Sequence, residues 1–272
     1  MLDFLVLVFS GGLVGFAIGL TGVGGGSLMT PIVLLLGYPP PVAIGTDLLY
    51  AALTKGSGAL FHHRKNNVDW RAMGLLAAGS IPVSLLISMF VLDDDFRDSA
   101  FYEEAMTTFL GIMLIVTSLV IIFQKRIQKR LSPELETRHD QHAVIPGPGL
   151  FQRQTLTITF LLGVILGICV TFTSVGAGAI GAAILFLLYP KWSAATVVGT
   201  DIAHAVPLTL VAGLGYLANG LVDLQLLASL LVGSLPGIWL GTHVGSLFPD
   251  KALRTILVIA LLCLGLNFTL FY

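Results

Sequence analysis

The sequence predicts an all-α integral membrane protein made of two inverted five-segment repeats. Each repeat is read as a broken or re-entrant helix hairpin followed by three transmembrane helices. Three observations carry this. First, of 272 residues 56% are hydrophobic and only 11% charged, with a mean hydropathy of +0.93, whereas a soluble domain carries about 25% charged residues. Second, the charges are clumped into 62–71, 93–104 and 124–153, and long apolar stretches between short charged loops mark a polytopic membrane protein. Third, the second half of the chain repeats the first.

The repeat is legible residue by residue. Gly45-Thr46-Asp47 matches Gly199-Thr200-Asp201, Val68-Asp69 matches Val222-Asp223, and Gly79-Ser80-Ile81-Pro82 matches Gly233-Ser234-Leu235-Pro236, all at an offset of 154. Upstream the offset is 152, which aligns Thr21-Gly22-Val23-Gly24 with Thr173-Ser174-Val175-Gly176. The chain therefore divides into a first membrane repeat (1–123), a polar linker (124–153) and a second membrane repeat (154–272).

The first repeat has apolar runs at about 2–20, 27–37, 42–61, 71–92 and 101–123, and the second at about 155–173, 178–189, 194–217, 223–247 and 251–271. The opening run lacks a basic leader, carries Asp3 and has an internal counterpart, so it is expected to belong to the fold rather than to a signal peptide. The second run of each repeat is too short to cross a hydrocarbon core of about 30 Å. With a glycine cluster before it, this run reads as one arm of a broken hairpin. The last three runs of each repeat are long enough to span.

Lys and Arg set the orientation. The loop with Arg64, Lys65 and Arg71 is expected to be cytoplasmic, the acidic loop after the next span outside, and the linker with Lys125, Arg126, Lys129, Arg130, Arg138 and Arg153 cytoplasmic. The short loop ANGLVD, counterpart of the first basic loop, then falls outside. The repeats are thus read as inverted, with both termini outside.

Inverted repeats with short, glycine-interrupted segments at matching positions point to a transporter whose site lies between the halves. The two clusters, TGVGGG (21–26) and TSVGAG (173–178), fit that pattern. Irregular backbone in a membrane is tolerated where it lines a cavity or is buried in protein. A helix starting at Ser27 or Gly178 would aim its positive end and unpaired N–H groups at the break, as an anion site does. The candidate substrate-binding residues are Thr21, Gly22, Gly24, Gly25, Gly26, Ser27, Thr173, Ser174, Gly176 and Gly178. Close helix packing is the other use for such glycines.

Polar residues on the spans extend the list. Asp47 and Asp201 occupy equivalent GTD motifs near the start of long helices, where capping of backbone donors is the expected main role and a cavity-facing role stays open. Thr46 and Thr200 are candidates as neutral donors to substrate. His204, three residues after Asp201, shares its helix face and could carry a proton or donate to an anion. Lys55 is expected to snorkel to the interface. Pro82 and Pro236 are candidate hinge or gating positions, and Asp69 and Asp223 are expected helix caps. His62 and His63 read as interfacial, and Cys169 and Cys263 as buried small residues with neither disulfide nor metal spacing. No metal, cofactor or nucleic-acid partner is expected. The expected partners are a small anion, the lipid bilayer and a proton as the open choice of coupling ion. The sequence specifies no oligomeric state.

The paired glycine clusters, the duplicated GTD, the H-x-R-x-x-x-V-D segment at 62–69 and G-S-x-P in both repeats resemble the TauE/SafE family, the sulfite exporters. The resemblance covers nearly the whole chain outside the linker. It implies an inner-membrane permease that exports sulfite or an organosulfonate such as sulfoacetate. A compact three-oxygen anion suits a ring of N–H and hydroxyl donors. The second cluster departs from the glycine-rich form.

Other functions meet obstacles in the sequence. Gly176-Ala177-Gly178-Ala179-Ile180-Gly181 spells a dinucleotide-binding fingerprint, but membrane-grade hydrophobicity surrounds it in place of a strand–helix–strand unit. An intramembrane enzyme would need a nucleophile–base pair or a ligand set, and neither is present. A scaffold has no use for two broken helices. A passive anion channel of the same fold, or a transporter of another small anion, remains the alternative.

Overall fold

The computed structural model describes residues 2–21, 28–90, 100–131, 150–245 and 250–270. Among them the chain is helical without strands: α1 (Leu2–Thr21), α2 (Met29–Leu35), α3 (Pro40–Arg64), α4 (Trp70–Phe90), α5 (Ala100–Leu131), α6 (Leu150–Thr173), α7 (Ala179–Leu188), α8 (Ala194–Ala218), α9 (Leu224–Gly245) and α10 (Asp250–Leu270). Six helices are long and apolar enough to cross a membrane, over Trp70–Met89, Tyr102–Phe123, Gln154–Thr173, Ala194–Ala218, Leu224–Val244 and Ala252–Leu270. At 25 residues, α3 is also long enough, about 37 Å, although Asp47, Lys55 and its basic end lower its hydropathy. The 7 residues of α2 and the 10 of α7 extend only about 10 and 15 Å. The short second run of each repeat is therefore a short helix, as expected. The flanks of the linker are helical, since α5 continues to Leu131 and α6 begins at Leu150.

Local chemistry sets the helix ends. Pro40 and Pro41 open α3, where a missing N–H costs nothing. Asp69 Oδ1 accepts from the N–H of Arg71 (3.1 Å) and Ala72 (2.9 Å), capping α4. Asp223 Oδ1 accepts from Gln225 and Leu226 (both 2.9 Å), capping α9. Both expected caps are present. Asn66 (φ 54°) and Gly220 (φ 69°), equivalent in the repeat, take the left-handed conformation that ends α3 and α8.

Packing recurs under exchange of the two repeats. α1 lies on α9, and its counterpart α6 lies on α4; α3 crosses α8, and α5 crosses α10. The first crossing is almost pure backbone. Gly11, Gly15 and Gly19 press on the main chain of Leu230, Ser234 and Ile238, while Gly233, Gly237 and Gly241 press on Val8, Gly12 and Phe16. In the counterpart, Gly163 and Gly167 meet the main chain of Leu76 and Ser80, and Gly79 meets Phe160. Any Cβ at these positions would enter a backbone, so small residues let the helices touch where hydrophobic burial gives no drive. Gly111 and Gly265, themselves counterparts, meet each other at the α5–α10 crossing.

The α3–α8 crossing is tied reciprocally. Thr46 Oγ1 accepts from the N–H of Asp223 (3.2 Å), and Thr200 Oγ1 accepts from the N–H of Asp69 (3.0 Å). Each GTD threonine thus holds the cap residue of the other repeat. Gly45 packs on Tyr216 and Leu221, and Gly199 on the equivalent His62 and Asn67.

Two expectations are refined here. Cys263 is exposed and Cys169 half-buried; Cys263 lies on the apolar outer surface with Ile256, Ile259 and Leu266, so only Cys169 approaches the buried role. Pro82 and Pro236 are exposed inside continuous α4 and α9, while Ser80 and Ser234 of the same G-S-x-P motifs are fully buried. The prolines face outward and the serines inward.

The reciprocal ties carry a stability prediction. Thr46→Val or Thr200→Val leaves a partly buried N–H unpaired at nearly constant shape, a loss of about 1–3 kcal/mol. Both variants are expected to lower the thermal unfolding midpoint in detergent, and by similar amounts; an unchanged midpoint in both would refute the ties.

Candidate functional site

The break between α6 and α7 is built by its own residues. Thr173 Oγ1 donates to Cys169 O (2.6 Å) and accepts from Val175 N–H (3.1 Å), diverting that donor from the helical ladder. Thr171 O, which Val175 would otherwise bond, instead accepts from Tyr216 Oη (2.9 Å) across the crossing helix. Ser174 (φ 57°), Gly176 (φ 121°) and Gly178 (φ 124°) then turn the chain through backbone conformations that side chains rarely adopt. The new helix α7 starts with the N–H groups of Ile180 and Gly181 on Gly176 O (3.2 and 3.3 Å). The second cluster is therefore a buried helix break, followed by a helix beginning just after Gly178.

The two GTD carboxylates meet the short helices. Each lies two turns into its own helix, since α3 begins at Pro40 and α8 at Ala194, so the expectation that they cap those helices is corrected. Asp47 Oδ2 instead accepts from the backbone N–H (3.2 Å) and the hydroxyl of Thr30, in the first turn of α2. Asp201 lies against the first turn of α7. The Gly178 N–H is directed at it, and only the missing side chain of Gly181 leaves room for its Oδ1. The donors at these helix starts, expected to face a substrate, thus face the protein's own carboxylates. One oxygen of each stays unsatisfied: Asp47 Oδ1 and Asp201 Oδ1 have no hydrogen-bond partner, though both residues are at most 1% exposed.

Lys55 completes the cluster. The expected snorkelling does not occur: the side chain is buried, and its Nζ donates to Ala177 O (3.4 Å), inside the second glycine cluster. Asp201 and Asp47 both attract this ammonium. Among the described residues it is the one Lys or Arg in the buried interior. His204, fully buried, shares a 2.8 Å hydrogen bond between its Nε2 and Ser80 Oγ, faces Lys55, and leaves Nδ1 unpartnered. Ser174 Oγ lies beside Asp47, again without hydrogen-bond geometry. The equivalent of the Ser80–His204 pair, Ser234 and Tyr50, also lies face to face.

Of the sequence candidates, Asp47, Ser174, Gly178, Asp201 and His204 come together around Lys55. Thr173 and Gly176 shape the break, and Thr46 and Thr200 join the repeats through their hydroxyl oxygens. Pro82 and Pro236 lie outside. The side chain of Thr21, and Gly22, Gly24, Gly25, Gly26 and Ser27 entirely, lie outside the described residues. Sequence reasoning passed over Thr30, Ser80 and Tyr216. Ser80 had a signal in the duplicated G-S-x-P; Thr30 and Tyr216 had none, because each answers a vacancy created by folding.

The arrangement is a buried polar cell on a broken helix, with donors and acceptors left open, inside an apolar bundle. Ionisable groups buried in a membrane bundle at a broken helix make this the candidate functional site. Comparisons with known proteins identify the family. The family model for the sulfite exporter TauE/SafE matches residues 7–268. A Bacillus subtilis (strain 168) protein named "Probable membrane transporter protein YjnA" is 36% identical, covering 96% of this chain and 98% of its own length. Another from the same strain, YdhB, with the same descriptive name, is 29% identical over 89% of this chain and 91% of its own. A Methanocaldococcus jannaschii protein of that description, MJ0441, is 26% identical over 96% and 93%. No solved structure matches. With its family model matched nearly end to end, this chain is a multi-pass membrane protein belonging to the TauE/SafE sulfite exporter family of membrane transporters.

Proposed function

We propose that the protein is a secondary transporter that exports a small sulfur oxyanion, sulfite or an organosulfonate such as sulfoacetate, by alternating access. The observation that carries this is Lys55: a buried ammonium resting on a carbonyl of the α6–α7 break, where it can be drawn onto an incoming anion. His204 Nδ1 and the Ser174 hydroxyl, both unpartnered and buried, are the neutral groups beside it able to donate. The family model's description supplies the sulfur oxyanion, and the cell supplies the charge chemistry.

The two halves are read as inverted. The pairing of α1 with α9 and of α6 with α4, and the exchange of Thr46–Asp223 for Thr200–Asp69, are what a two-fold relation between repeats produces. With 62–71 and the linker cytoplasmic, both termini lie outside an inner membrane. The unit boundaries 1–123, 124–153 and 154–272 follow the same reading.

The test is ligand-induced thermal stabilisation of purified protein against sulfite, sulfate, sulfoacetate, taurine and acetate. Ligand at 100 times its dissociation constant stabilises by about 2.7 kcal/mol, so one sulfur oxyanion should raise the midpoint and acetate should not. Absence of any response overturns the substrate class. Conductance without saturation in a planar bilayer would favour the passive channel over the transporter.

Two variants locate the site. Lys55→Met should abolish stabilisation by the ligand. Gly181→Ala drives a methyl into the Asp201 carboxylate, so it should cost about 1–3 kcal/mol of stability through overpacking and also remove transport in proteoliposomes. Full transport in either variant would place the substrate elsewhere.

A further inference from the structure

With both carboxylates ionised, the polar cell would carry more negative charge than an anion site should. Asp47 and Asp201 contribute −2 when ionised and Lys55 +1, so with His204 neutral the empty cell holds −1. A monoanion would bring it to −2 inside a protein interior, where unpaired charge is heavily penalised. In that state the acceptors are also wrong for an anion. An ionised carboxylate can only accept hydrogen bonds, and so can an oxyanion; a protonated carboxyl donates. Both the charge and the hydrogen-bond count are repaired by one event, a proton on a carboxylate.

The two carboxylates are not equivalent for that purpose. Asp47 accepts from both the N–H and the hydroxyl of Thr30, donors that favour its ionised form. Both carboxylates keep an unpartnered Oδ1, but Asp201 has only the Gly178 N–H directed at it and no side-chain donor, and its Oδ1 sits in the space left by Gly181 beside the break. The groups around it are known by element: Lys55 and Asp47 on α3, His204 on its own helix α8, Ser80 on α4, and Thr173 and Ser174 at the end of α6. α7 (Ala179–Leu188) contributes no titratable side chain.

We propose, building on the anion-transport reading, that substrate anion and proton bind together, the proton residing on Asp201. On binding, Asp201 takes up one proton and donates it in a hydrogen bond to an oxygen of the anion, while Lys55 shifts from Ala177 O to the same ligand. The loaded cell then keeps the charge of −1 it had when empty. No bond other than the O–H of the carboxyl forms, and the proton leaves with the anion on the far side. Asp47 is the reserve for a dianion, which would bring a second proton. The transport step is electroneutral symport, so export runs down the substrate's own gradient and is slowed by an inward proton gradient.

The experiment uses the full chain in detergent with methanesulfonate and sulfoacetate, whose sulfonate groups do not titrate in the working range. Proton uptake is followed with an indicator dye in weakly buffered solution while affinity is measured across pH. The expected result is about one proton taken up per methanesulfonate. Affinity should weaken about tenfold per pH unit wherever Asp201 is ionised in the empty protein. Asp201→Asn presents a neutral amide donor, so it should bind with no proton uptake and no pH dependence in that range. Asp47→Asn should retain both. Binding by the native protein without uptake overturns the proposal and leaves the anion reading intact. Uptake that persists in Asp201→Asn but disappears in His204→Gln also overturns it, by moving the proton to the histidine. If Asp201→Asn fails to fold, uptake retained in both Asp47→Asn and His204→Gln assigns the proton to Asp201, and uptake lost in either overturns the proposal. Binding of neither sulfonate at any pH overturns the anion reading and this proposal with it.

Discussion

A carboxylate inside a lipid-embedded bundle must find hydrogen-bond donors within the protein, and the start of a short helix is where spare backbone donors exist. This requirement organises the molecule. Asp47 takes the first turn of α2, and Asp201 faces the first turn of α7. To present those turns at the depth of the carboxylates, the chain must stop and restart a helix inside the bundle. That is why Ser174, Gly176 and Gly178 carry left-handed backbone, and why Tyr216 reaches over to satisfy the carbonyl that the break releases. Lys55 follows from the same constraint, since two buried acids with donors on only one side leave a field that a buried ammonium offsets.

Much of this was written in the sequence because the repeat doubles every signal. One GTD motif is ambiguous; two at matching places make Asp47 and Asp201 a pair. The helix count, the short second segments and the caps at Asp69 and Asp223 follow from hydropathy, length and local hydrogen bonding, all short-range properties. What escaped depends on long-range geometry. Lys55 reads as interfacial when only its own helix is considered, because its distance along α3 suits a snorkelling side chain. It is buried because α8 and the broken end of α6 close over it, which no local pattern records. Likewise Asp47 and Asp201 resemble caps of their own helices until Pro40 and Ala194 set those helices two turns earlier. Thr46 and Thr200 look like substrate donors, and their oxygens are instead occupied across the repeat boundary.

The two repeats use the same plan with different chemistry. In the first, Thr30 supplies a hydroxyl to Asp47; at the corresponding stage of the second, Gly181 makes room and leaves Asp201 with an open oxygen. Tyr50 faces Ser234 while His204 bonds Ser80. Symmetry builds the cell, and these departures from symmetry give its two carboxylates different donors.

The glycine crossings have a mechanical consequence. α1 comes from the first repeat and α9 from the second, yet their main chains touch along three turns; α4 and α6 are joined in the same way with the origins reversed. Pulling the repeats apart as bodies would unzip both seams at once. A division that spares both seams runs across the repeats, keeping α1 with α9 and α4 with α6. The covalent duplication and the pairs joined backbone to backbone are therefore different divisions of the described helices.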